Sequence, residues 1–311
     1  MSSSNLVSVI LIEEATYDTT PATGNWDTVR LTSESLSATP SVNSSNEIRS
    51  DRMLADQFIV STASEGSLDF ELSYGGVFDM LFEGAMYNNW STNVLTVGTT
   101  EISYSIEKQF TDLTANHYIV FSGMRVGGMA LNFTYGEPVS GSFTMAGASV
   151  TPASATQVVT GVTAATTTDV MNAVSDLTTI NIAGTAFGGC IQSISLNINN
   201  NLRPSTCIGS DTPGDQIAGT AEITGSIEAY LTDTTVQWYT SQILNQTAFD
   251  IQFTVEDAAG NSYDFDLPNC RISGSAPNAQ GINTDVMISA EFTALYDSGS
   301  GSSLTITRVA V

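Results

Sequence analysis

Lysine is almost missing from this 311-residue chain. Lys108 is the only one, and basic residues total 8 against 32 acids, for a formal charge of −24. No basic patch can be assembled, which excludes tight binding to a phosphate backbone. Histidine occurs once, as His117 in TANHYIVF just before a strand, where it reads as structural. No GxSxG, HExxH or P-loop spacing is present, so no catalytic signature supports an enzyme. The three cysteines, Cys190, Cys207 and Cys270, are an odd number without a CxxC pair. That argues against a disulfide framework or a zinc site and for reduced thiols. Long apolar runs are lacking too. LVSVILI (6 to 12) is too short to span a bilayer and has no cationic lead, so it reads as a strand or docking arm of a soluble protein made in a cytosol.

Charged residues make up 13% of the chain, about half of the usual ~25%, while apolar residues reach 41%. A real core is therefore possible, covered by Ser, Thr and Asn. Those residues, with Gly, Val and Ile, favour strands and turns. GTAEITGSIEAYL (219 to 231) alternates Glu222, Thr224, Ser226 and Glu228 against Ile223, Ile227 and Leu231, the two-residue period of a half-buried strand. SEGSLDFELS (64 to 73) alternates in the same way, with Glu65, Asp69 and Glu71 on its polar side.

This resemblance is part of an internal repeat. Ser35-Leu36 matches Ser195-Leu196 and Ser50-Asp51 matches Ser210-Asp211, both at an offset of 160; GSLDFEL (66 to 72) matches GSIEAYL at 159. Short amphipathic helices follow in both halves, with buried stripes of Val77, Met80, Leu81 and of Val236, Tyr239, Ile243. Trp238 beside the second is read as core. Alternating strands EISYSIEK and FDIQFTVED come next, then HYIVFSGMRV against SYDFDLPNCRI, which sets Arg125 opposite Arg271. EDAAGNSYD (256 to 264) misses the calcium-loop pattern and reads as a hairpin turn.

The expected class is mainly β (α+β): two tandem sandwich or barrel domains, each with one short helix. Boundaries are expected at 1–150, with an N-terminal arm, and 177–311, with a C-terminal strand LTITRVAV (304 to 311) after a flexible SGSGSS spacer. The Thr/Ala-rich connector 151–176 is either a flexible linker or an extended segment wrapping the exterior.

IEEATYDTTPATGNWDTVRLTSESL (12 to 36), EIRSDRMLAD (47 to 56), GSLDFELSYGGVFDMLFEGAMY (66 to 87), GGCIQSISLNINNNLRPSTCIGS (188 to 210) and DVMISAEFTAL (285 to 295) resemble the tail tube proteins of long-tailed, siphovirus-type bacteriophages. The resemblance implies a structural virion protein, assembled in the host cytoplasm into stacked rings. It implies an inner β-barrel around a lumen that conducts DNA at ejection. Partners would be other copies of the chain, a tape-measure protein, and the tail terminator and tail-tip or baseplate proteins, with no cofactor, metal or membrane. Family rings are usually sixfold, so a two-domain chain would close as a pseudo-sixfold trimer carrying 3 × (−24) = −72 formal charges. Within that picture Glu65, Asp69, Glu71, Glu222 and Glu228 line the lumen, the alternative being the outer wall. The loops 40 to 60 (Glu47, Arg49, Asp51, Arg52, Asp56) and 199 to 218 (Arg203, Asp211, Asp215) stack ring on ring. The competing reading is a secreted tandem β-domain adhesin or surface-layer protein.

Overall fold

The computed structural model describes residues 3–158, 161–274, 276–277 and 281–311. After a 3-10 turn at Ser4–Leu6, the first half contains β1 (Val7–Glu13), β2 (Asn25–Thr28), β3 (Ser33–Glu34), β4 (Ser37–Ser44), β5 (Gln57–Glu71) and helix α1 (Val77–Met86). It continues with β6 (Val94–Thr96), β7 (Tyr104–Phe110), β8 (His117–Thr134), β9 (Ser140–Gly147) and β10 (Ser149–Ser154). The rest contains β11 (Gly161–Thr163), β12 (Leu177–Ile182), β13 (Thr185–Ala186), β14 (Ile191–Asn199), β15 (Arg203–Ser205), β16 (Asp215–Ile217) and β17 (Glu222–Tyr230). A π-helical turn at Trp238–Ile243 precedes β18 (Phe249–Glu256), β19 (Ser262–Gly274), β20 (Met287–Ala294) and β21 (Thr305–Val309).

One antiparallel pairing scheme occurs twice. In the first half β1 lies on β7, β7 on β8, β8 on β9, β9 on β5, and β5 on β3 and β4, while β10 covers the start of β8. In the second, β12 lies on β18, β18 on β19, β19 on β20, β20 on β17 and β17 on β14, while β21 covers the start of β19. The registers correspond. Glu65 faces Ala146 as Thr224 faces Thr293, and Tyr104 faces Met124 as Phe249 faces Cys270, with a register shift following each of the latter pairs. Ser35 Oγ meets Ser67 Oγ at 3.1 Å and accepts from Ser67 N at 2.8 Å; Ser195 Oγ meets Ser226 Oγ at 2.8 Å and accepts from Ser226 N at 3.0 Å.

The halves are joined by β14, which pairs with β8 from Asn199 opposite Gly128 to Ser193 opposite Thr134. The result is an unbroken run of neighbours, β3/β4, β5, β9, β8, β14, β17, β20 and β19. Two matched glycines permit its tight spacing. A methyl on Gly225 would sit 2.1 Å from the Ser195 carbonyl and 2.3 Å from the Phe292 ring; one on Gly66, where φ is +157, would sit 2.6 Å from the Leu36 backbone.

One hydrophobic core runs through both halves. Its aromatic spine passes from Phe70 to Phe143 (4.9 Å between ring centroids), to Phe82 of α1 (6.0 Å), to Tyr263 (5.2 Å), with Phe253 stacked on Phe265 (5.1 Å) beyond. Such pairs add to the apolar burial that dominates folding. The same helix is clamped by the last strand. Arg308 meets Asp79 at 2.6 Å and lies over the Trp90 ring, and the Tyr263 hydroxyl donates to Asp79 at 2.6 Å.

Local expectations need several corrections. The second helix is π-helical, closed by Leu244 N on the Tyr239 carbonyl. Val236 is 40% exposed rather than buried, and Trp238 fills the core position against Phe187. Thr232 and Thr235 bond each other and nearby backbone there, competing with regular helical bonds. The loop expected at 40 to 60 is shorter than that, since β4 and β5 stay paired as a ribbon out to Ser44 opposite Gln57. The connector holds β10 and β11, and buries Met171; its positions 159 and 160 lie outside the described residues. The SGSGSS segment is a bonded turn, with Asp297 accepting from Gly299 N and Ser300 N and with Ser302 buried.

Gly225→Ala is expected to lower the melting temperature by several degrees, because overpacking costs about 1–3 kcal/mol and each kcal/mol shifts a large domain about 2–4 °C. Gly188→Ala, with open space at the Cβ position, should leave the thermal unfolding curve in place. An unchanged curve for Gly225→Ala would contradict the close strand contact.

Candidate functional site: a polar sheet face and two open edges

Along the eight-strand run, one face is core and the other is polar. On β5, Glu65, Ser67, Asp69 and Glu71 alternate with buried Leu68 and Phe70. On β17, Glu222, Thr224, Ser226 and Glu228 alternate with buried Ile223, Ile227 and Ala229. Cross-strand partners share a face, so the registers extend this surface to Ser140, Ser142 and Thr144 on β9 and to Ser195, Asn197 and Asn199 on β14. They also add Ser289, Glu291 and Thr293 on β20. The structure thus brings all five expected acids onto one polar face. Glu291 belongs with them, opposite Ser226; its signal in the sequence is the alternation of VMISAEFTA (286 to 294).

The single lysine is withdrawn from solvent. Lys108 Nζ meets Glu34 at 2.7 Å and donates to the Leu36 carbonyl at 3.2 Å. Buried acids are likewise satisfied. Glu14 accepts from Asp18 N, Ser103 Oγ, Ser105 Oγ and Gly123 N, all within 3.0 Å. Asp257 caps its hairpin turn by accepting from Ala259 N and from the Asn261 backbone and side chain. No group of three or more His, Cys, Asp or Glu side chains is placed to hold a metal ion among the described residues.

The two long loops differ. The loop between β14 and β17 folds back onto the first half. Arg125, 4% exposed, meets Asp215 at 3.0 Å, Glu101 at 3.0 Å and the Gln216 carbonyl at 2.5 Å. Its guanidinium also lies over the Tyr17 ring at 4.7 Å, and burial raises the Tyr17 hydroxyl's pKa. Gln216 Nε2 donates to the Gly147 carbonyl at 3.0 Å, and Thr62 N donates to the Asp211 carbonyl. Arg203 lies in the β15–β16 ribbon and is exposed. The loop between β4 and β5, by contrast, projects. Glu47, Arg49, Asp51, Arg52 and Asp56 are all exposed, and so are Ile48, Met53 and Leu54 at 99%, 69% and 71%. Arg49 and Asp51 already pair with each other at 2.6 Å.

The run ends in two edges. β3 and β4 pair with β5 on one side only, among the described residues, whereas their counterpart β14 carries β8 on its other side. At Ser273 and Gly274, β19 pairs with β20 on one side only, among the described residues, whereas the corresponding stretch of β8 carries β14. An open edge presents unpaired backbone groups, a template for another strand.

Arg125→Ala is expected to release residues 203 to 217, since it removes two ion pairs and a carbonyl contact from a buried cation. Hydrogen exchange should then accelerate in that segment while β17 stays protected. Unchanged exchange would show that the loop is held by other contacts.

A search of curated proteins finds no match to the chain. The family model described as phage tail tube protein matches residues 4–294, nearly the whole chain and both halves of the repeated scheme. That family is structural, and its virion-tail setting replaces the adhesin or surface-layer reading. A mainly β, acid-faced molecule with two open sheet edges and a match of this extent belongs to the phage tail tube protein family.

Proposed function

We propose that three copies of this chain close head to tail into a ring, and that stacked rings form the conduit through which phage DNA passes. The observation that carries the reading is the β14–β8 pairing inside the chain. The edge of β3/β4 is the counterpart of β14, and the end of β19 is the counterpart of β8. One chain therefore carries both halves of a junction that it already makes once internally. Complementary surfaces at opposite ends give heterologous association, which closes into a ring when the rotation permits. The chain is read as two fused tube domains, 1–150 and 177–311 joined by 151–176, so three chains supply the sixfold repeat that the family resemblance implies.

Transferring the internal register gives a specific seam. Asn199 opposite Gly128 becomes Thr39 opposite Ser273 of the next chain, and Ile198 opposite Met129 becomes Ala38 opposite Gly274. Eight strands per chain make 3 × 8 = 24 in the ring. At ~4.8 Å spacing and a tilt of roughly 40°, such a barrel is about 48 Å across its backbone, wide enough for a DNA duplex. In this reading the polar face is the inner wall, presenting Glu65, Asp69, Glu71, Glu222, Glu228 and Glu291 to the lumen. A wall of acids and hydroxyls repels phosphates and offers them no lysine. Before ejection the same lumen holds the tape-measure protein, and the ends of the tube meet the terminator and tail-tip or baseplate proteins.

Stacking is assigned chiefly to the projecting β4–β5 loop. Its exposed Ile48, Met53 and Leu54 form an apolar tip ringed by mixed charges, suited to insertion against the next ring. Of the second loop, Asp215 is engaged by Arg125, leaving Arg203 and Asp211 near the stacking surface.

The seam is tested by placing cysteines at Thr39 and Ser273 in a Cys190→Ser, Cys207→Ser background. Cys270 is buried with its thiol pushed up to about 12, so it does not compete. Paired strand residues lie about 4.5–5.5 Å apart between Cα atoms, within disulfide range. Oxidation should give a covalent ladder that stops at three chains. A ladder stopping at six, or running on without limit, would contradict closure in threes, and no cross-link would contradict the seam. Separately, Ile48→Ser with Leu54→Ser should leave the three-chain ladder intact but prevent tube growth under the electron microscope; normal tubes would remove the loop from the stacking contact.

A further inference from the structure

Arg271 is the counterpart of Arg125 by strand register: Arg125 lies opposite Ala146 of β9, and Arg271 lies opposite Thr293, the corresponding residue of β20. Their surroundings differ. Arg125 is enclosed by Glu101, Asp215 and the Gln216 carbonyl. Arg271 makes no ion pair among the described residues, and its Nη1 is buried without a hydrogen-bond partner. The position equivalent to Glu101 is Gln246, counting back from the matched pair Ile106 and Ile251. Its amide is committed to the Ile243 and Ile272 carbonyls. The second half thus keeps the cation and lacks a carboxylate for it. A shielded guanidinium nitrogen without an acceptor is a costly state that an incoming partner would relieve.

The acceptor has a copy elsewhere in the chain. Asp215-Gln216, which binds Arg125, repeats as Asp56-Gln57 at the same 159-residue offset that relates Gly225 to Gly66. The two dipeptides have the same local fold: Asp215 Oδ1 accepts from Gln216 N at 2.8 Å, and Asp56 Oδ1 accepts from Gln57 N at 2.7 Å. Asp56 is exposed and has no cation of its own among the described residues. It stands at the root of the β4–β5 loop, one strand along from Thr39, which the seam sets against Ser273.

We propose that Arg271 binds Asp56 and the Gln57 carbonyl of the next copy of this chain, a latch that repeats between chains the Arg125–Asp215–Gln216 contact made within each. Gln57 Nε2 then donates to the Ala294 carbonyl, as Gln216 donates to Gly147. The site is complete only in the assembly, and a monomer displays its two halves at opposite ends. The latch rests on the head-to-tail closure proposed above. It also divides the acids of the projecting loop: Asp56 locks neighbours within one ring, while the loop tip reaches the next ring.

The test compares wild type, Arg271→Glu, Asp56→Arg and the double variant by sedimentation and negative-stain microscopy over a range of concentrations. Each single reversal should raise the concentration needed for half-assembly by at least about tenfold, as for a close charge pair at an interface. The double variant, which restores opposite charges, should recover most of that loss. Asp56 is exposed, so Asp56→Arg should keep the wild-type melting curve, separating assembly from folding. Asp56→Arg assembling like wild type, or a double variant as impaired as the single ones, would overturn the latch while leaving the rings in place. Wild type forming only monomers or twofold dimers would overturn the closure itself, and the latch with it.

Discussion

Everything distinctive about this molecule depends on one strand contact, the seven residue pairs that lay β14 along the far half of β8. Without it the chain would be two short sheets, each with an open edge at either end. With it, two sheets become one eight-strand wall with a single open edge at each end among the described residues, and those ends correspond in register to the two strands that meet inside the chain. Backbone ladders are demanding partners, because a one-residue slip would turn every side chain to the opposite face. Here that penalty is concrete: a slip of β14 would drive Ile194, Leu196 and Ile198 out of the core and bring Ser195 and Asn197 in. Register fixed at the internal seam therefore fixes where the polar face lies on both sides of it.

The core explains why the halves do not swing about that seam. Phe82 of α1 packs on Phe143 of its own half and on Tyr263 of the other. The terminal strand β21 returns to pair with β6 and sets Arg308 on Asp79. Partly buried ion pairs are weak evidence of net stability; their geometric role is clearer, since Asp79 receives both Arg308 and the Tyr263 hydroxyl. A rigid two-part wall suits the proposed ring, in which one curvature would repeat from chain to chain. Charge is divided along the same lines. Some cations are held in defined contacts, as with Lys108 on Glu34 and Arg125 on Asp215, while acids remain on the polar face.

Much of this was legible in the sequence for a physical reason. Half-buried strands write their burial into a two-residue period, and the repeat placed matching strands in matching order. Hence the acids of β5 and of β17 could each be assigned to the polar side of their own strand from the alternation, while their sharing of one face follows from the strand pairings of the structure. What local pattern cannot write is which strands meet. The contact of β14 with β8 joins residues some 65 positions apart and leaves no local trace. Nor could periodicity show that β4 and β5 extend as a ribbon into an expected loop, since Phe58, Ile59 and Val60 form an apolar run without alternation. The π-helical turn escaped because Val236, Tyr239 and Ile243 fit helical spacing, yet local threonine hydrogen bonds and Trp238 packing set a wider turn. Arg271 was visible as the partner of Arg125 in the repeat; its lack of an acceptor is a fact of three dimensions alone.

The most direct measurement is cryo-electron microscopy of assembled tubes with the symmetry determined without imposing it. The account predicts three chains per ring and a continuous 24-stranded inner wall, with Ala38 of one chain opposite Gly274 of the next and the acids of β5 and β17 facing the lumen. Six chains per ring, an inner wall interrupted between chains, or those acids on the outer surface would contradict it.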